Sequence, residues 1–230
     1  MGTQLRLDLN AVMALAGELR DVLPLEILPA ADKEELAKQM RVRSFKADEV
    51  IYHRGDVADQ ANVVFTGLVK VMLLNDDGHE ALVALHGRGE FFGELALFSE
   101  APRDATVIAV MPTTVLQLSR ASCWSVLDRN PKAREWMFRH LGENIQKLEQ
   151  KYEAIVFLDV PGRLAKYLLE IDRDGERLPI TQDDLAAAVG STRVTVNKQL
   201  ADLERRGIVR VERRSVRVLD KVALEKEIVR

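Results

Sequence analysis

Apolar positions along this chain change their period twice. Between about residues 44 and 120 they fall in short β-branched and aromatic runs: Val50–Tyr52, Val63–Phe65, Leu68–Leu74, Ala81–Leu85, Thr106–Val110 and Val115–Leu118. Turn-forming clusters separate them, at Arg54-Gly55-Asp56, Asn75-Asp76-Asp77-Gly78 and Gly87-Arg88-Gly89. Many short strands at this spacing predict an antiparallel barrel or jelly roll. Upstream, residues 1 to about 40 read as helical, with Asp32–Met40 the clearest piece and Asp32 its N-cap.

Downstream the period becomes helical. Pro131 suits the first turn of a helix, in which Leu141, Ile145, Leu148, Tyr152 and Ile155 are spaced 4, 3, 4, 3. Such a seam asks for a partner helix, so a helix over 131–158 is expected to pair with its copy in a homodimer. Asp159-Val160-Pro161-Gly162 breaks the helix and serves as a hinge. A helix over Arg163–Ile171 follows, then Thr181 and Asp184 at capping-box spacing. Leu185–Val189, the turn at Gly190, and Thr192–Arg205 read as a helix-turn-helix. Ile208–Val211 and Ser215–Val218 add a hairpin wing. The fold class is therefore α+β, with expected boundaries of 1–122 for a sensory β-domain, 123–160 for the dimerisation helix and hinge, and 161–230 for the winged helix-turn-helix.

The densest chemistry lies in Phe91–Val107, FFGELALFSEAPRDATV. Gly93 lets the backbone approach a ligand closely, and Glu94 offers an acceptor for a sugar hydroxyl. Leu95 and Ala96 begin a short helical turn. Arg103 supplies a guanidinium fork for phosphate oxygens. A plain phosphate loop has no use for the Glu94 charge, whereas a sugar on one side and a phosphodiester on the other would explain both residues. An ion pair between Glu94 and Arg103 is the plainer alternative.

Composition narrows the class. With 47% hydrophobic and 30% charged residues the chain is ordinary for a globular protein, and no apolar run approaches the ~20 residues that span a bilayer. A lone cysteine, Cys123, allows no internal disulfide and fits a reducing cytoplasm. His53, His79, His86 and His140 are scattered without zinc-ligand spacing, and no nucleophile turn is present, so no enzyme activity is expected. The formal charge of −3 divides unevenly: residues 162–230 carry +3, and the rest carry −6. Six arginines, Arg205, Arg206, Arg210, Arg213, Arg214 and Arg217, crowd that basic end, a footprint suited to phosphates.

The run from Phe91 to Val107 resembles the phosphate-binding cassette of cyclic-nucleotide-binding domains, roughly F-G-E-L-A-L, four variable residues, P-R-x-A-T. From about residue 20 onward the chain resembles the cyclic-AMP receptor protein / fumarate-nitrate regulator superfamily of bacterial transcription factors. Phe157–Leu169 and Val189–Glu204 look like that family's hinge and recognition segments. The resemblance implies a cyclic-nucleotide-binding β-barrel (double-stranded β-helix or jelly roll), a long dimerisation helix and a winged helix-turn-helix. It assigns the ribose hydroxyl to Glu94, the cyclic phosphate to Arg103, and the cradle to Gly93, Leu95 and Ala96. The effector implied is cyclic AMP or cyclic GMP, with nothing tightly bound as a resident cofactor. Cyclic di-GMP, or a vestigial pocket with constitutive DNA binding, are the alternatives. A regulatory subunit acting on another protein is a further one. The partners implied are double-stranded DNA with a two-fold symmetric operator, a second copy, and RNA polymerase.

A helix-turn-helix reads the major groove with the start of its second helix, here Thr192, Arg193, Val194, Thr195, Asn197 and Lys198, while Arg213 and Arg214 of the wing grip the backbone. Three positions depart from the family pattern. Asp104 stands where Ser, Thr or Ala is usual, and a carboxylate about 4 Å from a phosphate costs roughly 1 to 4 kcal/mol. Asp104 turns outward, pairs with Arg103, or accepts from the N1–H and N2 of a guanine. Leu148 and Glu149 stand where adenine-reading members carry a polar pair on the dimer helix. Val194 replaces a common glutamate and cannot accept from cytosine N4. The turn Asp172–Arg177 is shorter than the loop some members use to touch the polymerase.

Overall fold

The computed structural model describes residues 3–5, 28–75, 78–99, 101–172 and 175–228. It divides into two compact units, one formed by residues up to Asn75 with Val83–Glu143, the other by Asp76–Leu82 with Asn144–Arg230.

The first unit is built on two antiparallel sheets. Its strands are β1 (Thr3–Leu5), β2 (Arg41–Phe45), β3 (Val50–Tyr52), β4 (Gln60–Thr66), β5 (Leu68–Leu74), β6 (Glu80–Gly87), β7 (Phe91–Phe92), β8 (Thr106–Ala109) and β9 (Thr113–Ser119). One sheet runs β1-β2-β9-β4-β7 and the other β3-β8-β5-β6. The sheets remain open, so the architecture is a jelly-roll sandwich rather than the closed barrel that the strand pattern also allowed. Helices α1 (Ala30–Gln39), α2 (Leu95–Phe98) and α3 (Arg120–Arg129) complete this unit, together with the start of α4 (Pro131–Phe157).

Side-chain alternation along β4 sorts the core into two layers. Ala61 and Val63 join Phe91, Leu116 and Leu118 beneath α1, α3 and α4. Val64 joins Phe92, Val69, Val107 and Val115 between the sheets. Asn62 shares the inner face, opposite Phe92 on β7 and Gln117 on β9. Phe91 and Phe92 thus anchor the strand before the cassette in both layers at once.

The N-terminal expectation needs correction. Residues 3–5 form a strand paired with β2, not a helix, and residues 6–27 lie outside the described set. Helix α1 starts after Pro29. Asp32 sits in its first turn and instead accepts from Asn130 Nδ2 at 3.0 Å. Strands β2 and β7 and helix α3 carry no signal that the sequence pattern revealed. Cys123 lies buried on α3, and burial pushes its thiol up to about 12, so it is an inert packing residue.

The second unit holds the end of α4, then α5 (Val160–Ile171), α6 (Gln182–Val189), α7 (Arg193–Arg205), the hairpin β10 (Val209–Glu212) and β11 (Ser215–Val218), and α8 (Lys221–Glu225). Asp159 caps α5 by accepting from Gly162 N at 2.9 Å, which explains why the chain restarts a helix so soon after α4. Thr181 and Asp184 form the expected reciprocal capping box on α6. Gly190 then turns with φ 62°, a left-handed conformation that glycine adopts without a Cβ penalty. Leu164, Leu168, Leu185, Val196, Leu200 and Leu224 form the buried centre. Residues 173 and 174 of the Asp172–Arg177 turn lie outside the described set.

Candidate ligand pocket and nucleic-acid interface

Arg103 and Glu94 are both buried, at 5% and 8% exposure, a costly pairing of charges unless something compensates them. They are not satisfied in the same way. Arg103 donates from Nη1 to Gly93 O at 3.0 Å and from Nη2 to Gln60 O at 2.6 Å. Its guanidinium carbon lies 4.1 Å from the centre of the Tyr52 ring, a cation–π contact. Nε is buried and has no hydrogen-bond partner among the described residues. The backbone of Arg103 is clamped as well: Arg103 N donates to Asp56 O at 2.9 Å, and Gly55 N donates to Arg103 O at 2.8 Å. The Arg54–Asp56 turn therefore places the arginine.

Glu94 Oε1 faces His140 Nε2 of α4 at 3.7 Å, an ion pair when the imidazole is protonated. Burial pushes the carboxyl up, but a hydrogen bond from His140, the backbone N–H of Glu94 and the charges of His140 and His86 outweigh it and hold it below the usual carboxylate range. The acceptor therefore stays anionic at neutral pH and loses its charge only as pH falls below that range. His140 stacks on Trp136 with ring centres 5.2 Å apart and meets the edge of Phe91 at 5.8 Å. The cassette carboxylate is thereby tied to the long helix.

Gly93 is required where it stands. Its φ is +71°, and a Cβ there would lie 2.8 Å from Arg103 Nη1 and 3.0 Å from Tyr52 Oη. A Gly93→Ala variant is expected to lose about 1–3 kcal/mol of stability and to weaken ligand binding by displacing Arg103. Chemical denaturation and calorimetry measure the two effects. The turn after it is held from α3: Trp124 Nε1 donates to Leu97 O at 2.8 Å and Arg120 Nη2 to Ser99 O at 2.6 Å.

The other expected ligand residues fall variously. Leu95 is exposed on α2, and the side chain of Ala96 lies outside the described set. Asp104 is exposed and makes no ion pair with Arg103, so of its three readings pairing is not realised. Leu148 and Glu149 are exposed on α4 in the second unit. Tyr52, Asn62, Gln60 and His140 escaped the sequence reading. Asn62 left a faint signal as an amide inside the apolar run Ala61–Phe65.

In the second unit, Thr192 caps α7, accepting from Thr195 N at 3.2 Å, and the two hydroxyls lie 2.9 Å apart. Val194 is 79% exposed at the helix start, with Arg193 and Lys198 also exposed. Arg193 Nη1 pairs with Asp183 of α6 at 3.0 Å. Asn197 is half-buried, and its carbonyl oxygen is shielded from solvent. Arg213 and Arg214 are exposed at the wing turn, Arg214 with φ 59°. The basic cluster is not uniform. Arg205 and Arg206 pair with Asp202, and Arg206 also with Glu227, while Arg217 donates to Gly175 O. Part of that charge is neutralised inside the domain.

The comparisons agree with this layout. Residues 42–130 match the cyclic nucleotide-binding domain model, and residues 162–227 match the Crp-like helix-turn-helix domain model. The CRP-like cAMP-activated global transcriptional regulator of Mycobacterium tuberculosis is 29% identical over 92% of this chain and 96% of its own. Among solved structures, a CRP-family transcriptional regulator from Thermus thermophilus is 29% identical with a TM-score of 0.69, over 81% of this chain and 96% of that one. The c-di-GMP-responsive global regulator CLP of Xanthomonas campestris shares the fold at 22% identity and a TM-score of 0.69, over 83% and 99%. The chain belongs to the cyclic-AMP receptor protein / fumarate-nitrate regulator superfamily. It is a CRP-like regulator of transcription, with a cyclic-nucleotide-binding domain and a DNA-binding helix-turn-helix, and the relatives it matches are named as transcriptional regulators.

Proposed function

We propose that the protein is a homodimeric, sequence-specific transcription regulator whose DNA binding is set by cyclic AMP or cyclic GMP in the Phe91–Val107 cassette. The observation that carries this reading is the buried pair of unlike charges, Arg103 with an unsatisfied Nε and Glu94 held anionic. A cyclic phosphate on the first and a ribose hydroxyl on the second would complete both. The name of the mycobacterial relative, cAMP-activated, favours cyclic AMP; the exposed leucine at 148 offers an adenine no hydrogen bond.

Dimerisation through α4 is supported by its exposed apolar face. Phe138, Ile145 and Tyr152 repeat every seven residues, as do Leu148 and Ile155, and all five side chains are exposed. Leu141, expected on that seam, packs instead toward the first unit's core.

Calorimetric titration of nucleotide-stripped protein with cyclic AMP, cyclic GMP and cyclic di-GMP tests the effector, with operator binding measured in each ligand's presence. Selective binding that raises DNA affinity supports the reading. Binding of none of them, with undiminished DNA affinity, replaces it by constitutive regulation. Selective binding of cyclic di-GMP replaces the effector alone.

On the DNA side, Arg193→Ala is expected to remove about 1–3 kcal/mol of discrimination at one base pair. Binding to an operator library reads this out. A uniform loss across sequences would make Arg193 a phosphate contact instead.

A further inference from the structure

Asn62 is the most deeply buried polar side chain near the cassette, with no exposed surface at all. Its amide is half used. Oδ1 accepts from Gln117 Nε2 at 3.1 Å, and in this arrangement Nδ2 is the end of the amide turned away from Gln117. Nδ2 is buried and has no hydrogen-bond partner among the described residues. Folded proteins rarely leave a buried donor unmet, because each such group has surrendered its water without replacement. This donor faces the cassette floor: the point where a Gly93 side chain would begin lies 3.4 Å from Asn62 Nδ2 and 2.8 Å from Arg103 Nη1. The second orphaned donor of the pocket, Arg103 Nε, belongs to the same guanidinium. Two unmet N–H groups of neighbouring side chains, one of them cationic, ask for an acceptor rich in oxygen and negative charge.

We propose that Asn62 is a ligand-binding residue, donating Nδ2–H to an exocyclic oxygen of the cyclic phosphodiester beside Arg103, with Gln117 as the positioning residue that turns the amide toward it. The inference rests on the cyclic-nucleotide reading of the same pocket and adds a phosphate donor from β4, a strand outside the cassette. It gives a role to the pair of hydrogen-bonded amides at the Asn62–Gln117 register position, beside the apolar cluster between the sheets.

The test is calorimetry of wild type and Asn62→Leu with cyclic AMP and cyclic GMP, and with the Rp and Sp phosphorothioates of both. Thermal melting establishes that each protein is folded. Asn62→Leu is expected to bind the preferred nucleotide roughly tenfold to a hundredfold more weakly. For one phosphorothioate diastereomer, whose sulfur replaces the accepting oxygen, the gap between wild type and variant should shrink. A purely structural role would weaken all forms alike, which would overturn the proposal. Equal affinity in a folded variant would also overturn it and leave the effector reading standing. Failure of wild type to bind any of these probes would sink the effector reading, and this inference with it. Should the stranded Gln117 amide unfold the single variant, Asn62→Leu/Gln117→Leu leaves no amide unpaired and gives the same comparison.

Discussion

An Arg103→Ala variant is expected to give no measurable heat with cyclic AMP or cyclic GMP and to lose nucleotide-dependent DNA binding. A hydrogen bond to a charged group contributes about 1.5–3 kcal/mol, so removing a two-pronged phosphate partner should cost a hundredfold or more in affinity, by the rule that ~1.4 kcal/mol is tenfold. The truncation also strips the donors from Gly93 O and Gln60 O and uncovers the Tyr52 ring. A stability loss of about 1–3 kcal/mol should therefore accompany the binding defect, and denaturant titration separates the two. Arg103→Lys restores the charge but not the fork, and is expected to fall between. Ligand-dependent DNA binding that survives Arg103→Ala would remove the cassette from the mechanism.

The second large effect concerns the dimer. Ile145→Asp should convert the protein from dimer to monomer in sedimentation velocity, because a charge would be forced into the apolar face of α4. Ile145 is exposed in the single chain, so thermal unfolding of that chain should stay cooperative. Operator affinity should fall by about a hundredfold or more, since two half-sites are no longer held by one molecule. A dimer that persists with unchanged affinity would place the interface elsewhere.

Much of this was legible in the residues alone, and the reason is local. The helix-turn-helix is specified by caps within a few positions, Thr181 with Asp184, Gly190, and Thr192, so its limits agreed to within three residues. The run Leu68–Leu74 agrees with the observed strand because its apolar residues stop at the turn cluster Asn75-Asp76-Asp77-Gly78. Strands β2 and β7 were missed for opposite reasons: Arg41–Phe45 alternates through charged residues, and Phe91–Phe92 is too short to show any period. The cassette could be read as a motif, but its support could not. Tyr52, Asn62 and His140 reach Arg103, Gly93 and Glu94 from strands and a helix far away in sequence, and only folding brings them there. Asp104 shows the limit in the other direction, since its residue type suggested three roles and only its exposed position narrows them.

The ion pair between Arg193 and Asp183 has a consequence for target search. An arginine already held by a carboxylate gains less from any nearby phosphate than a free one would. The pair is exposed and contributes little to stability, at about 0–1 kcal/mol, yet on the proposed reading of α7 it would act as an internal competitor for Arg193. A random stretch of duplex must win Arg193 away from Asp183 with backbone oxygens alone, whereas a correctly placed guanine offers two aligned acceptors. Selectivity then arises as a difference between two occupied states rather than from contact against water. The protein would dwell briefly on most of the genome and settle where the base edge displaces its own aspartate.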